Sequence, residues 1–425
     1  MLQTLRNAWA VPELRKKILF TVLILVLYRF GAVLPVPFLS ADLLTQMVNA
    51  YTDGSFFQYF NILSGNAFSK ATLFALSVSP YITAQIVIQL LTIAIPALER
   101  IAKEEEGRKK LAQFTRIGTI ILAAITAFGY TKYIESALIV DSIFIRIVVI
   151  TCYVAGSALV MWLAEKIDEF GIGNGISMIL FCNIISSLPA SVSSLFAAQT
   201  QIWAKVLVVI IAAVIALACL VFVVYMTNAE RRLPVQYAKK VVGRKMYGGQ
   251  STTLPLKLNM TGVMPIIFAN SIVAIPSTLS VIFPPKTGSF WSGVVDFFSY
   301  TSPVYAILFF ILIIAFNYFY VGISFNPVEV ANNLKKNGGF ILGIRPGKPT
   351  ADYISRVLSK ITFIGALFLA FIAVVPLIIN MIAGNGLGGI AFGGSSLLII
   401  VGVALETYRE LEAQMTMRHY KGFLE

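Results

Sequence analysis

Apolar residues in this chain come in blocks of about membrane-spanning length, separated by short polar or charged breaks. A helix that crosses a bilayer needs roughly 20 apolar residues. Blocks at 18–38, 72–95, 114–131, 144–164, 175–190, 204–226, 303–323, 360–382 and 395–412, with one more from Gly262 to Pro284-Pro285, predict ten spans. Unbroken blocks argue against a transmembrane β-barrel, whose strands alternate over segments of about ten residues. One stretch breaks the rhythm. Residues 56–70 open apolar and are interrupted by Ser64-Gly65-Asn66, too short and too polar to cross. Irregular backbone at membrane depth survives only where it is buried in protein or lines a cavity, so this piece must fold back into the bundle.

Composition agrees with the pattern. Hydrophobic residues make up 58% and charged ones only 12%, and the mean hydropathy is +0.83. The net charge of +13 is crowded into the N-terminus and the segments 99–110, 228–259 and 335–360, while the alternate connections carry almost no cations. The positive-inside rule makes the crowded segments and both termini cytoplasmic. Met1–Lys17 sets Leu2, Leu5 and Trp9 against Arg6, Arg15, Lys16 and Lys17, an amphipathic pattern suited to the membrane surface. The run that follows is too long for a signal peptide and reads as the first span.

The chemistry available is sparse. Cys152, Cys182 and Cys219 lie inside apolar blocks and read as small core hydrophobes. His419 is the only histidine, which leaves no basis for histidine catalysis or a multi-histidine metal site. GIGNG at 171–175 lacks the strand and lysine of a nucleotide site and reads as a turn. The acids Glu165, Asp168 and Glu406 fall near cytoplasmic ends of spans, leaving the middle of the bundle apolar. An ion-coupled transporter would place ionisable groups there. An intramembrane protease would need an HExxH or paired-aspartate motif. No enzyme and no cofactor is expected. The second and seventh spans each carry a proline near the start (Pro80, Pro265) and polar residues within an apolar run, a pattern that points to a central pathway between two repeats.

Four motifs in order, SGNAFSKATLFALSVSPYITAQIVIQLL, GIGNGIS, GGQSTTLPLKLN with GVMPIIFANSI, and NPVEVANNLKKNGGFILGIRPGKPT, resemble the SecY family, channel subunits of the protein translocase, over essentially the whole chain. The resemblance implies an all-α polytopic membrane protein with ten transmembrane helices in two pseudo-symmetric five-helix halves around a central pore. Residues 1–190 would form the first half, 191–203 an external hinge loop and 204–425 the second half with cytoplasmic loops 228–259 and 324–359. The implied function is a channel for unfolded secretory polypeptide, with lateral release of membrane segments into lipid. Implied partners are SecE and SecG subunits, the SecA motor ATPase, the ribosome, signal peptides and membrane lipids, in the inner (plasma) membrane of the cell.

The resemblance also implies roles for individual residues. Val78, Ile82, Leu180, Ile184, Ile267 and Ile399 match an apolar pore ring. Val78/Ile82 and Leu180/Ile184 are i,i+4 pairs, each able to project from one helix face. An apolar collar can dewet and hold a seal while yielding to a passing chain, although most such residues in a bundle simply pack. The piece 56–70 matches a plug, with Ser64, Gly65, Asn66 and Ser69 small and polar enough to pack reversibly. Its residues alone equally allow a structural re-entrant loop. Thr83, Gln89 and Asn270 match a polar contact across a lateral gate, or ordinary interhelical glue. Lys239, Lys240, Arg244 and Arg345 match docking positions on the cytoplasmic loops, where they also set topology. Arg29, in the outer part of the first span, has no assigned role.

Overall fold

The computed structural model describes residues 2–40, 61, 64–139, 142–197, 202–237, 240–242, 245–247, 251–283, 289–298, 302–383 and 394–421. Its helices are α1 (Leu2–Ala10), α2 (Pro12–Gly31), α3 (Ser79–Ala94), α4 (Pro96–Lys103), α5 (Glu105–Tyr133), α6 (Ile143–Phe170), α7 (Gly175–Ala197), α8 (Ile202–Asn228), α9 (Met264–Ile282), α10 (Phe290–Phe297), α11 (Pro303–Ser324), α12 (Pro327–Lys336), α13 (Lys348–Ala383) and α14 (Gly394–Lys421). Four helical stretches among the described residues are long and apolar enough to cross a membrane: Glu106–Lys132, Ile143–Phe170, Pro303–Lys336 and Lys348–Ile378. Ser79–Ala94 with Pro96–Ala102, bent by 110°, makes a fifth if the pair is one span. Gly175–Ala190, Ala213–Asn228 and Met264–Pro276 are apolar but shorter.

Element ends depart from the hydropathy blocks where proline and polar backbone intervene. The helix of the first span, α2, stops at Gly31 rather than 38. Pro35 and Pro37 lack an N–H and push the residues before them out of the helical region. The chain beyond runs alongside later segments through bridges Pro35↔Thr72 and Leu39↔Leu138. The second span begins at Ser79 rather than 72, with Pro80 in the first turn, where its missing N–H is harmless. Residues 64–78 instead form turns, with Asn66, Ala71 and Ser77 at positive φ of 66°, 44° and 51°. The helix predicted over 175–190 continues to Ala197 with Pro189 inside it, so it takes up part of the expected hinge loop 191–203.

The all-helical expectation needs correction. Residues 230–257 form an antiparallel pair, β1 (Glu230–Tyr237) and β4 (Ser251–Lys257), with a smaller pair β2 (Lys240–Val242) and β3 (Lys245–Tyr247) between them. β5 (Gly339–Ile341) adds to the free side of β1, aligning Val235 with Ile341 and Gln236 with Phe340. The sheet order is therefore β4-β1-β5, and two loops about a hundred residues apart become one unit. Leu233, Val235, Leu256, Leu334, Ile341 and Ile354 fill a small core beneath it. α12 completes this unit. Pro327 opens it, Asn326 Oδ1 accepts from the N–H groups of Val328 and Glu329, and Lys335 and Lys336 sit in the last turn.

The main core joins α2, α3, α6, α7, α8, α9, α11, α13 and α14. A second core packs Phe68, Ala71, Ala75 and Leu76 against Tyr130, Ile134, Val149 and Tyr153 of α5 and α6 and the turn that follows α5. The irregular stretch 64–78 is therefore wrapped in protein, as its backbone requires.

Candidate functional site

Side chains from four separated stretches meet at a small cavity of about 30 Å³ lined by Leu76, Ser77, Ser79, Ile82, Leu180, Ile267, Asn270, Ser271, Ala274 and Ile399. Four of the six residues matched to a pore ring lie here: Ile82 of α3, Leu180 of α7, Ile267 of α9 and Ile399 of α14. Val78 and Ile184 are buried in the same core without lining the cavity. The wall is apolar on most sides and polar on one, where Ser77, Ser79, Asn270 and Ser271 face in. A space of this volume holds about two waters and no polypeptide. The chemistry is that of a seal. No charged side chain lines it, and its apolar side offers nothing to replace an ion's hydration shell.

Directly against the collar lies a buried hydrogen-bonded knot that sequence reasoning missed. Asn183 Nδ2 donates to the Tyr28 hydroxyl at 2.8 Å and to Ser77 Oγ at 3.1 Å, and the two oxygens are 3.4 Å apart. It ties α2, the 64–78 stretch and α7 together. The available signal was a polar residue inside each apolar block. Bonded polar groups in a dry core are strongly placed, because separating them strands a buried donor at about 1–3 kcal/mol.

The residues matched to a plug form a tight turn of their own. Ser64 Oγ accepts from the Phe68 N–H at 3.0 Å and donates to the Asn61 carbonyl at 3.2 Å. Ser69 Oγ donates to the Asn66 carbonyl at 3.2 Å, and Asn61 Nδ2 donates to Asn66 Oδ1 at 3.0 Å. Of residues 56–63, only Asn61 lies within the described residues. The small polar residues are not the whole attachment. Phe68 is buried, its ring 4.4 Å from that of Tyr130, and its carbonyl accepts from the Tyr130 hydroxyl. Burying a phenylalanine contributes about 1.5–3 kcal/mol, so packing here is firmer than a small polar turn alone gives.

The three residues matched to a lateral gate do not bond one another. Thr83 Oγ1 donates to its own helix at the Ser79 carbonyl, 3.1 Å away. Asn270 is buried at the cavity wall, and its Nδ2 finds no acceptor among the described residues. Gln89 Oε1 accepts from the Tyr320 hydroxyl at 2.8 Å, linking α3 to α11. Tyr320 is the partner the sequence left unnamed, one tyrosine in an aromatic-rich span, and its ring also meets Phe268 of α9 at 4.9 Å.

On the basic loops, Lys239 and Arg244 lie outside the described residues, and Lys240 is placed only as the first residue of β2. Arg345 is exposed in the turn after β5, whose carbonyl accepts from Thr350 Oγ1 at 2.8 Å. The Lys257 ammonium titrates below its ordinary value, first because of partial burial and then because of the Arg409 cation, with Glu230 opposing. Among the described residues no cluster of three or more His, Cys, Asp or Glu could hold a metal ion, and the three cysteines are free.

A family model described as SecY matches residues 72–408. Two curated relatives named protein translocase subunit SecY align over the full length of both chains: that of Streptomyces galbus at 42% identity over 442 residues, and that of Halalkalibacterium halodurans at 41% over 437. Among solved structures, one described as a protein-conducting channel gives a TM-score of 0.65 at 20% identity, covering 94% of this chain and 92% of its own. The Sec61 chain of a canine ribosome–channel complex from the endoplasmic reticulum gives 0.62 at 19% identity with the same coverage.

Proposed function

The chain belongs to the SecY family of protein translocase subunits, and from that premise we propose that it is a channel through which unfolded secretory polypeptides cross a membrane and apolar segments leave sideways into lipid. The observation that carries this reading is the convergence of Ile82, Leu180, Ile267 and Ile399, from four helices far apart in sequence, on one uncharged cavity. Together with Val78 and Ile184 they form the ring that gates the pore. An apolar collar holds back ions because it dewets, and it yields to a chain of any sequence because it makes no specific bonds.

Ten spans in two five-helix halves surround this pore, 1–190 and 204–425, with the hinge in 191–203. Residues 56–70, including Ser64, Gly65, Asn66 and Ser69, are the plug on the outer side, and Thr83, Gln89 and Asn270 flank the lateral exit. The unpaired Asn270 amide offers a donor to the backbone of an entering segment. The termini are cytoplasmic and the membrane is the inner (plasma) membrane, in keeping with the distribution of lysine and arginine. Lys239, Lys240, Arg244 and Arg345 dock partners: the SecA motor, which supplies the ATPase activity, or a ribosome. SecE and SecG complete the complex, and the ribosome-bound Sec61 chain of similar fold supports the ribosome as a partner.

The test is reconstitution. In liposomes with SecE and SecG, a secretory precursor should enter only when SecA and ATP are present. Uptake of a small solute driven by an ion gradient would refute the channel reading and favour an inverted-repeat transporter.

A further inference from the structure

Arg29 is a cation in the last turn of α2 with a backbone carbonyl as its neighbour rather than an acid. No carboxylate among the described residues forms an ion pair with it. The helix C-terminus lends it a favourable field, which explains how it is tolerated but not what it does. Its Nη1 lies 3.5 Å from the Gly65 carbonyl at the tip of the 64–78 stretch. The approach is close enough that a Cβ on Gly65 would meet that nitrogen at 2.6 Å and the Asn183 backbone at 3.2 Å. Gly65 also sits at φ +64°, where a side chain is strained, so two independent features keep the position bare for the guanidinium.

The two ends of the stretch are held differently. Its root is strapped to α2 and the chain just after it: the Leu73 N–H donates to the Leu34 carbonyl at 2.9 Å, the Val36 N–H to the Ala71 carbonyl at 3.3 Å, and the Phe74 ring stacks on Tyr28 at 5.4 Å. The tip, residues 64–69, is knitted mostly to itself, and from outside Arg29 and Tyr130 take the carbonyls of Gly65 and Phe68. Phe68 anchors one side of the tip against Tyr130, and the other side, at Gly65, is held from α2 by the Arg29 guanidinium.

We propose that Arg29 is the latch of this segment, a positioning residue whose guanidinium holds the tip at Gly65 while the pore is closed and releases it on opening. The proposal rests on the plug reading. At 3.5 Å the contact is longer than the roughly 2.7–2.9 Å of a full charge-assisted bond, so it shifts the docked-to-undocked ratio by a few-fold.

The experiment uses the full chain in lipid nanodiscs, with its three cysteines replaced by serine and one reporter, Ala67→Cys, at a site with 0% exposure. The rate of maleimide labelling reads tip release. Arg29→Met should accelerate labelling a few-fold and Arg29→Lys should stay near the parent. Equal rates in Arg29→Met and the parent, or equal acceleration in both variants, overturn the latch. Ala366→Cys, also at 0% exposure in α13, serves as the unfolding control. Acceleration confined to Ala67 supports the latch, and parallel acceleration at both sites overturns it. A synthetic signal peptide added to the parent separates the two readings. If it leaves labelling slow while Arg29→Met speeds it, the latch stands and the plug reading falls.

Discussion

Removing one hydroxyl tests the lateral gate. Tyr320→Phe deletes the donor to Gln89 Oε1 and leaves the ring where it packs against Phe268 at 4.9 Å, so the perturbation is confined to one hydrogen bond between α3 and α11. The bond is short at 2.8 Å and half-buried. Side-chain bonds between membrane helices contribute about 0.6 kcal/mol on average and about 1.7 at most. Each 1.4 kcal/mol is a factor of about ten, so the closed-to-open ratio should fall about three- to eighteenfold. The readout is the initial rate of precursor import into proteoliposomes, using a precursor whose signal segment has been weakened so that gate opening limits the rate. Tyr320→Phe should raise that rate several-fold while an unmodified precursor changes little. Gln89→Leu should give the same gain, and the double variant no further gain, since the two groups share one bond. Additive effects, or an unchanged rate in both single variants, would refute the idea that this pair holds the gate shut.

Other changes probe the remaining parts. Ile82→Asn or Ile184→Asn should wet the collar and raise ion conductance across a planar bilayer without abolishing translocation; an unaltered conductance would remove these residues from the seal. Asn270→Leu relieves a buried unpaired donor whose cost is about 1–3 kcal/mol, so it should favour the closed state and slow import of the weakened precursor. Leu256→Asp places a carboxylate in the core under the cytoplasmic sheet, and limited proteolysis should then cut 230–257 and 339–341 together, because one sheet holds both. Lys257 has a lowered pKa in the fold, so its charged form is disfavoured there at pH below that pKa, and the penalty disappears as pH rises past the ordinary lysine range. It should therefore acylate faster than ordinary lysines near pH 8, and Arg409→Gln should slow that reaction.

Hydropathy located the helical blocks because desolvating a backbone in lipid leaves few alternatives to a helix; the ring positions Ile82, Leu180, Ile267 and Ile399 came only from the family resemblance, since nothing in an apolar block marks which side chains face a cavity. It misjudged the block starting at 72, since Leu73, Phe74, Ala75 and Leu76 are as apolar as any span yet turn back on themselves. Their apolar side chains pack into the bundle instead of lipid, and a residue count cannot distinguish the two fates. The strands were hidden for a related reason. RRLPVQY and TTLPLKL alternate buried and exposed positions, but the prolines and flanking charges gave the look of a loop, and the partner GFI lies about a hundred residues on, where no local pattern reports it. The same holds for the polar contacts. Gln89 was visible as a polar residue in a span, whereas its partner Tyr320, and the meeting of Tyr28, Ser77 and Asn183, depend on which helices neighbour each other. Composition thus constrained what the centre lacks, namely charge, and three-dimensional adjacency decided which polar groups meet beside it. The specific bonds lie beside the apolar collar rather than in it: the knot at Asn183, the bond at Tyr320 and the contact at Arg29. A seal built from unspecific apolar contacts needs such separate fastenings, because side chains that adapt to every passing sequence cannot also specify when to part.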